Sequence, residues 1–219
     1  MKKFFTTSLI FLILLALAGM IFWNQIADWF HGLGAVAEKP VIYLYPETET
    51  EVNVSLGIDG ALTVSYPEYP ADGWSITASP DGTLTDADGR SYNSLFWEAE
   101  MTAQYDFSEG FCVAGTDTAA FLEDTLAKLG LSETEANEFI VYWLPRMQDN
   151  TCNLITFQTD AYTDAAALTV TPAPDTLIRV FMVWQALEEP VEIPAPVLPE
   201  MPVRTGFTVV EWGGTEIKN

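Results

Sequence analysis

The chain has 219 residues, 31 of them acidic and 9 basic, for a formal charge of −22, and 49% of it is apolar. Setting aside Lys2, Lys3 and Asp28 leaves 30 acids against 7 bases beyond residue 37. Such a surface repels phosphate backbones and anionic headgroups, which argues against a nucleic-acid partner and against docking on acidic lipid.

Residues 4–23, FFTTSLIFLILLALAGMIFW, are 20 positions without a charge. As a helix they would extend about 30 Å, the thickness of a bilayer's hydrocarbon core. Lys2 and Lys3 would stay on the cytoplasmic side, so the segment predicts an N-terminal transmembrane helix with the remainder outside. A cleavable signal peptide is the competing reading, with ALA at 16–18 or AVA at 35–37 as cleavage sites, and would make the protein secreted. The full spanning length favours an uncleaved, single-pass anchor in the cell membrane. Residues 1–37 are then anchor and linker, and residues 38–219 an extracytoplasmic domain large enough to bury a core.

Strand signals follow closely. VIYLYP (41–46) is β-branched and aromatic, while TEVNVSL (50–56) and ALTVSY (61–66) alternate, with an Asp59–Gly60 hairpin turn expected between them. GWSITAS, GTLTDADG and SLFWEAE carry the pattern to residue 100, split by PDG and DADG turns. Residues 40–113 therefore predict an antiparallel, sandwich-like β region. In the middle, Leu122, Leu126 and Leu129 share one helical face that Gly130 should terminate, and Ser132 with Glu135 forms a capping box for a second short helix. FIVYWLP (139–145) is read as a buried strand, because aromatic and β-branched residues dominate and Pro145 opposes a helix. Strands are expected in CNLITFQ, ALTVTP, LIRVFMVW and GFTVVEW, and an extended path for the proline-rich residues 188–202. The fold class is α+β, predominantly antiparallel β, with a short helical pair in the middle.

Cys112 and Cys152 both lie in the outer domain. There an even pair reads as a disulfide, closing a loop of about 40 residues and stabilising by roughly 4 kcal/mol. Two buried free thiols are the other reading.

The blocks KPVIYLYP, YPEYPADGW, LFWE, FIVYWLP, IRVFM and GFTVVEWGG, in this order, resemble a family of uncharacterised, chiefly bacterial proteins. The resemblance runs from Lys39 to Gly214 and implies one structural unit. That family has no established activity, so no catalytic or binding residue comes with it.

The single histidine, His31, lies in the linker, which removes Ser-His-Asp and Cys-His catalysis and the usual zinc sites. Neither a phosphate loop nor a GxGxxG turn is present. DADG (86–89) has cation-loop spacing, but Trp97 stands where the twelfth-position acid belongs, so no metal and no cofactor is expected. Carboxylate chemistry remains. Glu98 and Glu100 share one side of a strand, about 6.6 Å apart. Glu211 adjoins Trp212, and Asp106 and Glu109 are further acids near aromatics. A glycoside hydrolase, or another glycan-acting enzyme, needs such a pair. A chain with 31 acids offers many by chance, so Glu98, Glu100 and Glu211 are weak catalytic candidates. Trp74 and Trp212, near strand ends, are expected to reach solvent as weak glycan-binding platforms. Glu211 itself reads most simply as part of a strand that the two glycines end. The sequence thus predicts a membrane-anchored, non-catalytic binding or envelope-structural module, with a glycan or an envelope protein as partner.

Overall fold

A computed structural model describes residues 35–200 and 202–218. The expected membrane span at residues 4–23 and His31 lie outside them. Among the described residues no helix is long and apolar enough to cross a membrane.

The first strand, β1 (Ala35–Tyr45), lies near the centre of a seven-stranded sheet ordered β3-β7-β1-β12-β11-β9-β8. The other six strands of that sheet are β3 (Gly60–Tyr66), β7 (Leu95–Met101), β8 (Phe111–Ala114), β9 (Cys152–Phe157), β11 (Thr176–Leu187) and β12 (Thr208–Glu216), of which β7 and β12 flank β1. A five-stranded sheet, ordered β10-β2-β4-β5-β6, comprises β2 (Thr50–Ile58), β4 (Trp74–Ala78), β5 (Leu84–Thr85), β6 (Ser91–Tyr92) and β10 (Ala166–Thr171). Pairing is antiparallel except between β11 and β12. Parallel neighbours require a long return, and the proline-rich residues 188–207 supply it. The α+β, mostly antiparallel class follows.

One face of the large sheet packs on the small one through Ile42, Leu44, Val54, Trp74, Trp97, Phe181 and Val209. The other carries Val41, Tyr43, Val180, Trp184, Val210 and Trp212 against two helices, α1 (Thr118–Lys128) and α2 (Glu133–Met147). A short helix, α3 (Thr159–Ala165), was not anticipated and leads directly into β10. The Cys112–Cys152 disulfide is formed, with Cα atoms 6.3 Å apart, and the 40-residue loop it closes contains α1 and α2.

Three local expectations are corrected. FIVYWLP is helical, being the second half of the 15-residue α2, which is therefore not short. Its apolar residues recur at helical spacing, so Ala136, Phe139, Trp143 and Met147 form one buried stripe. Pro145 is tolerated in the last turn, where the carbonyl it leaves unpaired belongs to Val141, 65% exposed. The capping box is present, with Glu135 N–H donating to Ser132 Oγ at 3.3 Å and Ser132 N–H to Glu135 Oε2 at 2.8 Å.

Asp59–Gly60 makes no hairpin. β2 pairs with β4 and β10, whereas β3 pairs with β7, so the chain crosses from one sheet to the other here. A Cβ on Gly60 would lie 2.0 Å from the Glu100 carbonyl oxygen, so the crossing admits glycine alone.

Gly213 and Gly214 do not end the last strand but continue inside it. A Cβ on Gly213 would meet Pro40 at 3.1 Å, and one on Gly214 would meet the Trp143 ring at 2.8 Å. Pro40 belongs to a bulge in β1 between Glu38 and Val41. The bulge reverses which face alternate residues occupy: Ala37 points to the small sheet, and beyond the bulge so do Ile42 and Leu44, while Val41 and Tyr43 face the helices. Small residues in β12 therefore accommodate an irregularity in β1.

Candidate binding groove

Seven strands at about 4.8 Å spacing make a sheet about 29 Å wide. Two helices at about 10 Å packing distance cover about 20 Å of it. The helices lie over the β11–β12 side, so the face of β7 and β3 is left partly open. Val64 and Tyr66 of β3 are 46% and 51% exposed.

A groove of about 810 Å³ opens at this border. One wall is the outer side of α2, with Glu138, Val141 and Tyr142; the other is the β6 region, with Arg90 and Tyr92 beside Tyr66. Phe96 of β7 and Lys39 of the β1 bulge also line it, and Trp212 lies beneath. Its size falls within the range typical of small-ligand sites, roughly 300–1,000 Å³.

The bulge holds Lys39 at φ 59°, the one non-glycine residue at positive φ among the described residues. L-residues avoid this conformation, and it recurs where chains present groups to ligands. The Lys39 ammonium stands 5.0 Å from the Phe96 ring centroid and 5.5 Å from that of Tyr142. Its backbone N–H donates to Glu98 Oε1 at 3.3 Å.

On the opposite wall, the DADG loop is a turn whose acid is used internally. Asp86 Oδ1 accepts from the Asp88 and Arg90 N–H groups at 3.0 and 2.9 Å, and Oδ2 from the Tyr92 hydroxyl at 2.8 Å. Those bonds, the Arg90 N–H first, hold the Asp86 carboxyl below its ordinary range. Asp86 thereby fixes Arg90 and Tyr92. Arg90 Nη2 donates to the Tyr66 hydroxyl at 2.9 Å, and Tyr66 and Tyr92 meet edge-to-face with centroids 5.6 Å apart. Glu138 accepts from the Tyr43 hydroxyl at 2.5 Å, and burial together with that carboxylate pushes the Tyr43 phenol well up.

The weak catalytic candidates do not converge here. Glu211 is fully buried toward the small sheet, where Arg179 Nε donates to it at 2.6 Å and Trp97 Nε1 at 3.1 Å. Arg179 also donates to the Ala166 carbonyl at 2.8 Å, and its guanidinium lies over the Tyr162 ring. Glu98 and Glu100 share the outer face of β7, Glu98 under Lys39 and Glu100 exposed. Asp106 accepts from Ser108 N–H and Oγ in a local turn, and Glu109 is exposed. Among the described residues no group of three or more His, Cys, Asp or Glu side chains is placed to hold a metal ion.

The expectation that Trp74 and Trp212 reach solvent is also corrected, at 2% and 0% exposure. Trp74 donates to the Pro67 carbonyl at 3.0 Å and packs on Tyr69, and Trp212 packs on Phe139. Large indoles fill these cores, and tyrosines line the groove instead. Sequence reading passed over Tyr66, Tyr92, Tyr142 and Arg90. The available signal was the scarcity of bases, which makes each Lys or Arg worth placing.

The molecule is thus a two-sheet α+β domain with helices on one outer face and an open, aromatic groove carrying cations. No family model matches the chain, and no solved structure matches it significantly. Over 64 residues it is 50% identical to a protein of Butyrivibrio fibrisolvens described as "Uncharacterized protein in bglA 3'region". That match covers 28% of this chain and 66% of the relative, just short of two thirds.

Proposed function

We propose that this protein is an extracytoplasmic binding module, held at the cell membrane by residues 4–23, whose groove takes a glycan without cleaving it. The observation that carries the reading is the cluster of Tyr66, Tyr92, Phe96 and Tyr142 around one open groove of about 810 Å³. Flat aromatic rings that stay partly wet suit a ligand with one apolar face and many hydroxyls, as a sugar ring has. The Cys112–Cys152 disulfide supports an oxidising compartment. A binding role is favoured over hydrolysis because Glu211 is neutralised by Arg179 inside the core, away from Glu98 and Glu100.

The test is a thermal-shift titration of the full chain in detergent with neutral and acidic soluble glycans. A saturating ligand at about a hundredfold excess over Kd should stabilise by about 2.7 kcal/mol. Tyr66→Ala and Tyr142→Ala should remove the shift while leaving the unliganded melt near that of the parent. A shift insensitive to both substitutions would put the ligand elsewhere. No shift with any glycan would turn the reading toward a protein partner in the envelope.

A further inference from the structure

The described residues contain seven cations, and four of them are paired: Lys128 with Asp124, Arg146 with Glu38, Arg179 with Glu211 and Arg204 with Glu135. Lys218, which also forms no salt bridge among the described residues, lies away from the groove, near Glu188 and Glu216. The other two, Lys39 and Arg90, form no salt bridge among the described residues, and both line the aromatic groove. With 30 acids against 7 bases beyond residue 37, random placement would give each a carboxylate neighbour readily. Neither cation is left loose. Lys39 is set by the bulge over the Phe96 and Tyr142 rings, and Arg90 by Asp86 and the Tyr66 hydroxyl. Two acids stand at the groove's edge, each already accepting a bond: Glu138 from the Tyr43 hydroxyl and Glu98 from the Lys39 backbone N–H.

We infer that the groove's ligand is an acidic sugar, a short uronic-acid oligosaccharide, with Lys39 and Arg90 receiving carboxylates of rings stacked on the tyrosines. This deepens the binding-module reading and rests on it. A guanidinium fork matches a planar carboxylate, while the ammonium acts as a point charge at the other wall. The acidic remainder of the domain disfavours long polyanions, so the ligand is short. An acidic peptide would supply the carboxylate but no ring to stack on the aromatic faces.

The experiment is a thermal-shift and calorimetric comparison on the full chain in detergent. The probes are galacturonate, glucuronate and mannuronate trisaccharides, the carboxyl-reduced neutral counterpart of each, and a triglutamate peptide. At least one uronate is expected to bind, with its reduced counterpart about tenfold weaker or worse. Arg90→Gln and Lys39→Gln should each abolish most of that preference, and Tyr66→Ala should remove binding of the uronate and of its reduced counterpart alike. Equal binding of a uronate and its reduced counterpart, or a preference unchanged in both charge variants, overturns the inference and leaves the glycan groove standing. Binding of triglutamate alone, or of none of the probes, overturns both. Melts of the unliganded variants within about 2 °C of the parent show that folding is intact, since surface changes of this kind act within about 0.5 kcal/mol.

Discussion

On one face of the seven-stranded sheet, Glu211 and Arg179 have side chains 0% and 7% exposed, enclosed by the small sheet. On the other, Lys39 and Arg90 stand at a border where the helices run out, with aromatic rings beside them and an open groove in front. The same backbone thus presents two kinds of charge. The first kind is compensated and locked, so its removal is a stability event. The second forms no salt bridge among the described residues, so its removal is a recognition event. Burial and pairing, and not residue type, separate the two.

The sharpest way to break this comparison is Glu211→Leu, which strands Arg179 in the core. Losing one partner of a buried pair costs about 3–5 kcal/mol. The urea midpoint should fall accordingly, and Glu211→Leu with Arg179→Met should recover most of the loss. A single variant within 1 kcal/mol of the parent would mean the pair is hydrated in solution. The disulfide comes next. Its 40-residue loop encloses both helices of the open face, and removing it by Cys112→Ser with Cys152→Ser should cost about 2–4 kcal/mol. Hydrogen exchange should accelerate first in α1 and α2, with the core between the sheets keeping its protection. Uniform acceleration would show that the two faces unfold as one unit.

A smaller effect involves Glu135, which is fully buried at the start of α2 and paired with Arg204, itself 31% exposed. Arg204 Nη2 also donates to the Gly130 carbonyl at 2.7 Å, so one side chain ties the proline-rich return to both helices. Burial pushes the Glu135 carboxyl up, but Arg204, the Ser132 N–H and Tyr45 together outweigh it, so it lies below the ordinary 4.5. A carboxyl lowered by folding stabilises above its unfolded value and ceases to do so as the pH falls through its folded value. The stability of the parent should therefore decline below pH 4.5, and Glu135→Gln should flatten that part of the profile. At pH 7 the variant should lose about 1–3 kcal/mol. An identical acid slope in both proteins would remove Glu135 from the linkage.

How much of this was legible follows from the range of each interaction. The capping box of Ser132 and Glu135 and the termination at Gly130 are local, and were readable. So were the alternating strands and the Cys112–Cys152 pair. FIVYWLP was misread because composition was weighed above the spacing of Phe139, Trp143 and Met147. Asp59–Gly60 failed as a hairpin because a turn dipeptide does not say which sheet the next strand joins. The groove was out of reach: it joins residues 39, 66, 90–96 and 138–142, and exists because helical cover ends there. The indoles misled for a related reason, since nothing local distinguishes a Trp under a helix from one beside water.

The finest test concerns the bulge itself. Lys39 holds φ 59° in a chain of L-residues, a conformation that costs a non-glycine residue about 1–2 kcal/mol. Lys39→Gly and Lys39→Ala both delete the ammonium over Phe96 and Tyr142, so they lose the same contacts. They differ in backbone freedom. Glycine relieves the strain but gains about 0.5–1 kcal/mol of unfolded-state entropy, whereas alanine keeps the strain. The glycine variant should therefore be the more stable by up to about 1.5 kcal/mol, with ligand affinity equally reduced in both. If alanine proves the more stable, β1 does not hold positive φ at this position in solution, and the face reversal around Pro40 must have another geometry. If glycine does, the bulge stores strain to aim a cation into the groove, and the open face gives up stability that the sealed face retains.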